Sequence, residues 1–121
     1  MALRLRLPQR RQTPDFDDLT PFEQAALRFN ESAAAQTVTG LVRTLGDPRV
    51  SVGAAAGSPA EVRVTVAWEL SWYQWGVEVG AGEGEVHELA RGREISEIDY
   101  AARQWNAAVT ADGQIVVTAR P

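Results

Sequence analysis

The sequence predicts a single α+β domain: a curved antiparallel sheet of four to five strands, a long N-terminal helix packed across it, and a shorter C-terminal helix. Three observations carry that expectation. Val62 to Val79 alternates apolar and polar residues with a period of two, as half-buried antiparallel strands do. Residues 20–45 repeat apolar side chains at helical spacing behind a helix-start motif. Short strand-like runs elsewhere are separated by Gly, Pro and Asp-Gly turns.

The alternating stretch organises the rest. Val62, Val64, Val66, Trp68 and Leu70 share one face, and Glu61, Arg63, Thr65 and Glu69 the other. After Ser71 the phase shifts, so that Tyr73, Trp75, Val77 and Val79 become the apolar set. Unbroken, the run would span on the order of 60 Å at roughly 3.3 Å per residue. A chain of this length folds to a radius of gyration of about 14 Å, so the strand has to bend or turn. Leu70-Ser71 lacks the Asn-Gly or Asp-Gly pair of a tight hairpin. The reading is therefore a bulged or sharply bent strand pair near Ser71 or Gly76.

The helix from residue 20 has the clearest start. In Thr20-Pro21-Phe22-Glu23 the Thr hydroxyl and the Glu carboxylate can satisfy each other's backbone amides, and proline suits the first helical position. Phe22, Ala26, Phe29 and Ala33, with Leu27, Ala34, Val38, Leu41 and Leu45, form the stripe that would face a sheet. Gly46 and Pro48 end it after about 25 residues, roughly 37 Å. Thr37, Thr39 and Gly40 mark its weak middle. Arg49 to Ala55 reads as a strand, Gly80 to Glu85 as a loop, and Glu85 to Ala90 as a weakly patterned strand. Ser96 then caps a second helix whose face carries Ile98, Ala101, Ala102, Trp105 and Ala108, and Gln114 to Ala119 forms a last strand.

Residues 1–19 read as a separate segment ahead of the domain at 20–121. Leu3, Leu5 and Leu7 alternate with Arg4 and Arg6, an amphipathic strand that Pro8 stops. Such a strand can lie at the edge of its own sheet or add to the sheet edge of another chain. The first eleven residues hold four arginines and no acid, and the remainder holds eight arginines against sixteen acids. That acidic body argues against nucleic-acid binding.

Composition narrows the chemistry further. No cysteine means no thiolate nucleophile and no zinc–thiolate site, and no lysine means no Schiff base. The abundance of Arg, Ala, Gly and Val reflects a GC-rich genome. No apolar run approaches 18 residues, and the arginine-bearing start has no apolar leader core, so the expectation is a cytoplasmic protein with no membrane partner. The Gly80–Gly84 loop lacks the following helix that a phosphate site needs and is ringed by Glu78, Glu83, Glu85 and Glu88. His87 lies among those acids with no second imidazole to make a metal site. No cofactor or metal is expected.

The aromatic cluster carries the functional expectation. Three of the four tryptophans and one of the two tyrosines fall at Trp68, Trp72, Tyr73 and Trp75. Trp72 and Tyr73 are neighbours on a strand and point to opposite faces. The leading expectation is a non-catalytic interaction protein, pairing with itself or with another protein. It would use Leu3, Arg4, Leu5 and Arg6 together with Trp72, Tyr73 and Trp75. The alternative is a small-molecule pocket between helix and sheet, lined by Trp68, Glu69, Trp72, Tyr73, Trp75 and His87. An acidic immunity or antitoxin-type inhibitor is a third possibility.

Overall fold

The first helix, α1 (Pro21–Asn30), starts at the expected cap: Glu23 N–H donates to the Thr20 hydroxyl at 3.2 Å, and Thr20 N–H to the Glu23 carboxylate at 2.9 Å. This computed structural model describes residues 19–55, 58–80 and 84–118, so the segment containing Leu3, Arg4, Leu5 and Arg6 lies outside the described residues. The single long helix of the sequence reading is in fact two. The chain leaves helical geometry at Ser32, which is extended, and α2 runs from Ala33 to Leu45. Ser32 makes the break, because its hydroxyl donates to Phe29 O at 2.7 Å and accepts from Ala34 N–H at 3.2 Å. One short side chain thus closes the first helix and caps the second. The weak middle at Thr37, Thr39 and Gly40 stays helical, with Thr39 donating to Ala35 O at 2.8 Å. Gly46, at φ 88°, ends α2, and the Trp68 indole donates to its carbonyl at 2.8 Å.

The sheet has six strands rather than four or five: β1 (Arg49–Ala55), β2 (Ser58–Trp68), β3 (Ser71–Glu78), β4 (Val86–Gly92), β5 (Ala107–Val109) and β6 (Ile115–Val117). Their order is β4-β3-β2-β1-β5-β6 and every neighbouring pair is antiparallel. The expected bulge at Ser71 is instead a hairpin. Trp68 pairs with Ser71, leaving Glu69-Leu70 as a two-residue turn. Neither turn residue has positive φ, so the turn does without the left-handed residues that Asn-Gly pairs supply. The register shift in β3 lies between Gln74 and Trp75, against β4.

Burial follows from that register. Val50, Val52, Val62, Val64, Val66, Trp68, Trp75 and Val77 form one face and pack on Ala25, Ala26, Phe29, Ala35 and Val38 of the two helices. The opposite face carries Ala67 and Trp72 under Ile98 and Ala102.

The expected C-terminal helix does not form. Its residues make two short 3-10 turns, Ile95–Glu97 and Tyr100–Ala102, and then β5. Ile98 and Ala102 are buried as the helical face required, but Ala101 and Ala108 are exposed and Trp105 is half-buried. The cause is the distance this connection must cover, from β4 at one edge across the sheet to β5. Three attachments hold it extended. Arg63 makes a two-point ion pair with Asp99 at 2.9 and 3.0 Å, Gln104 N–H donates to the Ser51 hydroxyl at 3.0 Å, and Asn106 bonds the backbone of β1. Trp105 sits between them at φ 52°, a conformation costing a non-glycine residue about 1–3 kcal/mol. Its ring lies beneath the Arg49 guanidinium, 5.8 Å from the centroid.

Glu97 ties the connection to β3. One carboxylate oxygen accepts from Arg93 N–H at 2.9 Å, Trp72 Nε1 at 3.0 Å and Glu94 N–H at 3.2 Å. Trp72 packs against Gly92, where a Cβ would come within 2.6 Å of the indole carbons. The Glu94 and Arg93 amides, then the indole, hold the Glu97 carboxyl below its ordinary value of 4.5. A depressed folded pKa means that the carboxylate favours the fold above the unfolded value and that this contribution fades as the pH falls through the folded one. Glu97→Gln is therefore expected to cost stability at pH 7 and progressively less below 4.5. Thermal midpoints of the two proteins at pH 7 and pH 3 check this, and a gap that does not narrow in acid would contradict it.

Candidate functional site

The aromatic residues expected to form a surface or a pocket are mostly committed to the fold. Phe29 meets Trp75 edge-to-face at 5.1 Å, Trp75 stacks on Tyr73 at 5.7 Å and 15°, and Tyr73 meets Trp68 edge-to-face at 6.4 Å. Trp68 and Trp75 are buried, and Tyr73 is half-buried under the Arg91 guanidinium, 5.2 Å from its ring centroid. Trp72 is buried on the other side of the sheet, so the structure does not bring it together with Trp75. The space between helices and sheet is filled by the apolar core.

The remaining predicted residues are scattered. Glu69 is exposed in the β2–β3 turn and, with Trp68, edges a depression of about 360 Å3 lined also by Leu45, Asp47, Arg49 and Ile95. His87 is exposed on β4 and approaches Glu61 at 3.2 Å, above Gly76. Among the described residues no cluster of three or more His, Cys, Asp or Glu side chains is placed to hold a metal ion. No described helix is long and apolar enough to cross a membrane.

A groove that the sequence did not reveal lies between α1 and β6. It has a volume of about 240 Å3 and is lined by Leu19, Glu23, Ala26, Leu27, Asn30 and the three residues of β6. Its walls are apolar except for Glu23 and Asn30. Leu27 is 41% exposed and faces solvent at the groove, whereas Val116, between the core-facing Ile115 and Val117, turns its side chain to the other face of the sheet.

The hydrogen bonding of β6 gives the groove an orientation. Thr110 N–H donates to Gln114 O and Thr118 N–H to Asn106 O, so even-numbered positions exchange bonds with β5. By antiparallel alternation, the N–H and C=O groups of Ile115 and Val117 point away from β5, toward the open edge. Asn30 takes the first pair: its Oδ1 accepts from Ile115 N–H at 2.8 Å and its Nδ2 donates to Ile115 O at 3.0 Å. The side-chain amide thus imitates one residue of a seventh strand. No described strand pairs with the edge at Val117.

The opposite edge of the sheet is built differently. β4 carries His87, Glu88 and Arg91, is interrupted by the register shift, and has a two-point Arg91–Glu88 ion pair at 2.8 Å. That ion pair lowers the Glu88 pKa and raises that of Arg91. Charge and bulging are the usual protections of an edge strand. The β6 edge has neither charge nor bulge.

No local signal announces this groove. Asn30 and Ile115 are 85 positions apart, and an asparagine at a helix end ordinarily reads as a cap or turn residue. Leu27, placed by its spacing on the stripe that would face the sheet, is instead 41% exposed. Comparison of the chain with protein-family models, with curated proteins and with solved structures finds no match.

Proposed function

We propose that this protein is a non-catalytic protein–protein interaction module, self-associating or a small subunit of a larger assembly, and that the α1–β6 groove is its contact surface. The supporting observation is the coincidence of an exposed apolar side chain, Leu27, and the half-buried Val117 with a sheet edge free of charge. Apolar surface beside such an edge favours a partner that covers both. The tryptophans serve the interior instead: Trp68 closes α2, Trp72 anchors the crossing segment and Trp75 packs on Phe29.

Placing a charge at Leu27 puts a carboxylate into the contact without touching the buried core. Leu27→Glu is expected to weaken association by roughly 10-fold or more, the loss of an apolar contact plus the cost of desolvating a charge. Sedimentation over a wide concentration range measures it. An assembly state indifferent to the charge would overturn the groove as the contact surface.

A further inference from the structure

The groove points to an occupant. We propose that it receives residues Leu3–Leu7 of a second copy of this chain, laid along β6 as an added strand, each copy supplying its arm to the other. This rests on the groove being a contact surface and names what fills it.

The arm suits the groove in pattern and charge. Leu3, Leu5 and Leu7 fall on one side of an extended strand, and Arg4 and Arg6 on the other. The leucines match the apolar walls at Ala26, Leu27 and β6, and the one charged side chain lining the groove, Glu23, is acidic. The main-chain groups of Val117 face the incoming strand, whereas those of Ile115 are taken by Asn30. A short ladder is therefore all that the edge offers, and a five-residue arm that ends at Pro8 is long enough to make it.

Position argues for exchange between copies. Leu19, where the arm enters the fold, is itself a wall of the groove and is held there by Gln24 Nε2 donating to its carbonyl at 3.2 Å. A two-fold contact uses the same patch on both subunits. Centred here, it sets each arm's root beside the partner's groove. Residues 8–18 can extend about 36 Å at roughly 3.3 Å per residue, enough to cross such a contact.

Because the chain has no cysteine, an introduced pair reports the geometry without interference. In the full chain carrying Leu5→Cys and Leu27→Cys, mild oxidation is expected to give a covalent dimer. Light scattering coupled to size exclusion should find the full chain dimeric. Leu5→Glu, and independently removal of residues 1–12, should each shift it to monomer, with association at least 100-fold weaker. A disulfide within one chain would place the arm in its own groove and overturn the exchange. A dimer that survives both Leu5→Glu and the truncation would overturn the arm's role, and if Leu27→Glu still separates it, the groove remains the contact surface. A full chain monomeric at all concentrations overturns both.

Discussion

Phe29→Ala is expected to be among the most destabilising single changes available in this protein, at about 3–5 kcal/mol. Phe29 is fully buried, and its ring edge meets Trp75 at 5.1 Å, at the head of the ring series that continues through Tyr73 to Trp68. Alanine removes the aromatic contact and leaves a cavity that neighbours cannot close easily. Val38 belongs to the separate α2, and Val64 and Val66 are held by their strand pairing. Domains of this size are stable by only about 5–15 kcal/mol, so the variant loses a large share of the total. The thermal midpoint should fall by about 10–20 °C. Tryptophan emission should report the loosened ring at Trp75 before the transition. A midpoint within a few degrees of the parent would show that this ring series is not the centre of the core.

Asn106→Ala should have the next largest effect, about 2–4 kcal/mol. The Asn106 side chain accepts from Val52 N–H at 2.8 Å and donates to Val52 O at 2.9 Å. Regular pairing between β1 and β5 comprises one residue pair, Val50 with Ala107, so the amide extends the junction by one position. Val52 is fully buried, and alanine would leave both of its main-chain groups without partners, at about 1–3 kcal/mol each less what relaxation recovers. Urea denaturation should show a lower midpoint with an unchanged slope. Unaltered stability would mean that Val52 finds other partners and that the asparagine is dispensable.

These two residues also show what was and was not legible in the sequence. Phe29 lay on a predicted helical stripe, and the valines of β2 lay on a predicted strand face, because periodicity records which side of an element is buried. The Thr20–Glu23 cap was legible because its partners are three residues apart. The break at Ser32 was missed because a hydroxyl that can cap a helix can equally ride within one. The β2–β3 hairpin was missed because its turn uses ordinary residues. β5 was read as the end of a helix because Ala107 and Ala108 suit either state, and what decides is the attachment of Gln104 and Asn106 to β1, more than 50 positions away. The groove was illegible for the same reason, since its two walls come from opposite ends of the described chain.

The narrow junction between β1 and β5 divides the sheet into unequal mechanical parts. Strands β1 to β4 form a continuous meander of long ladders, whereas β5 and β6, three residues each, are attached through one residue pair, two side-chain links and the packing of Ala107, Val109, Ile115 and Val117 against the core. The expectation is that this β5–β6 hairpin opens ahead of global unfolding, checked by faster hydrogen exchange at β5 and β6 than at β2 and β3. When this hairpin lifts, the groove loses one wall and β1 gains a bare edge in the same event. Anything seated against β6 holds the hairpin down and thereby shields β1, so occupancy of the groove and protection of the sheet's interior edge rise and fall together.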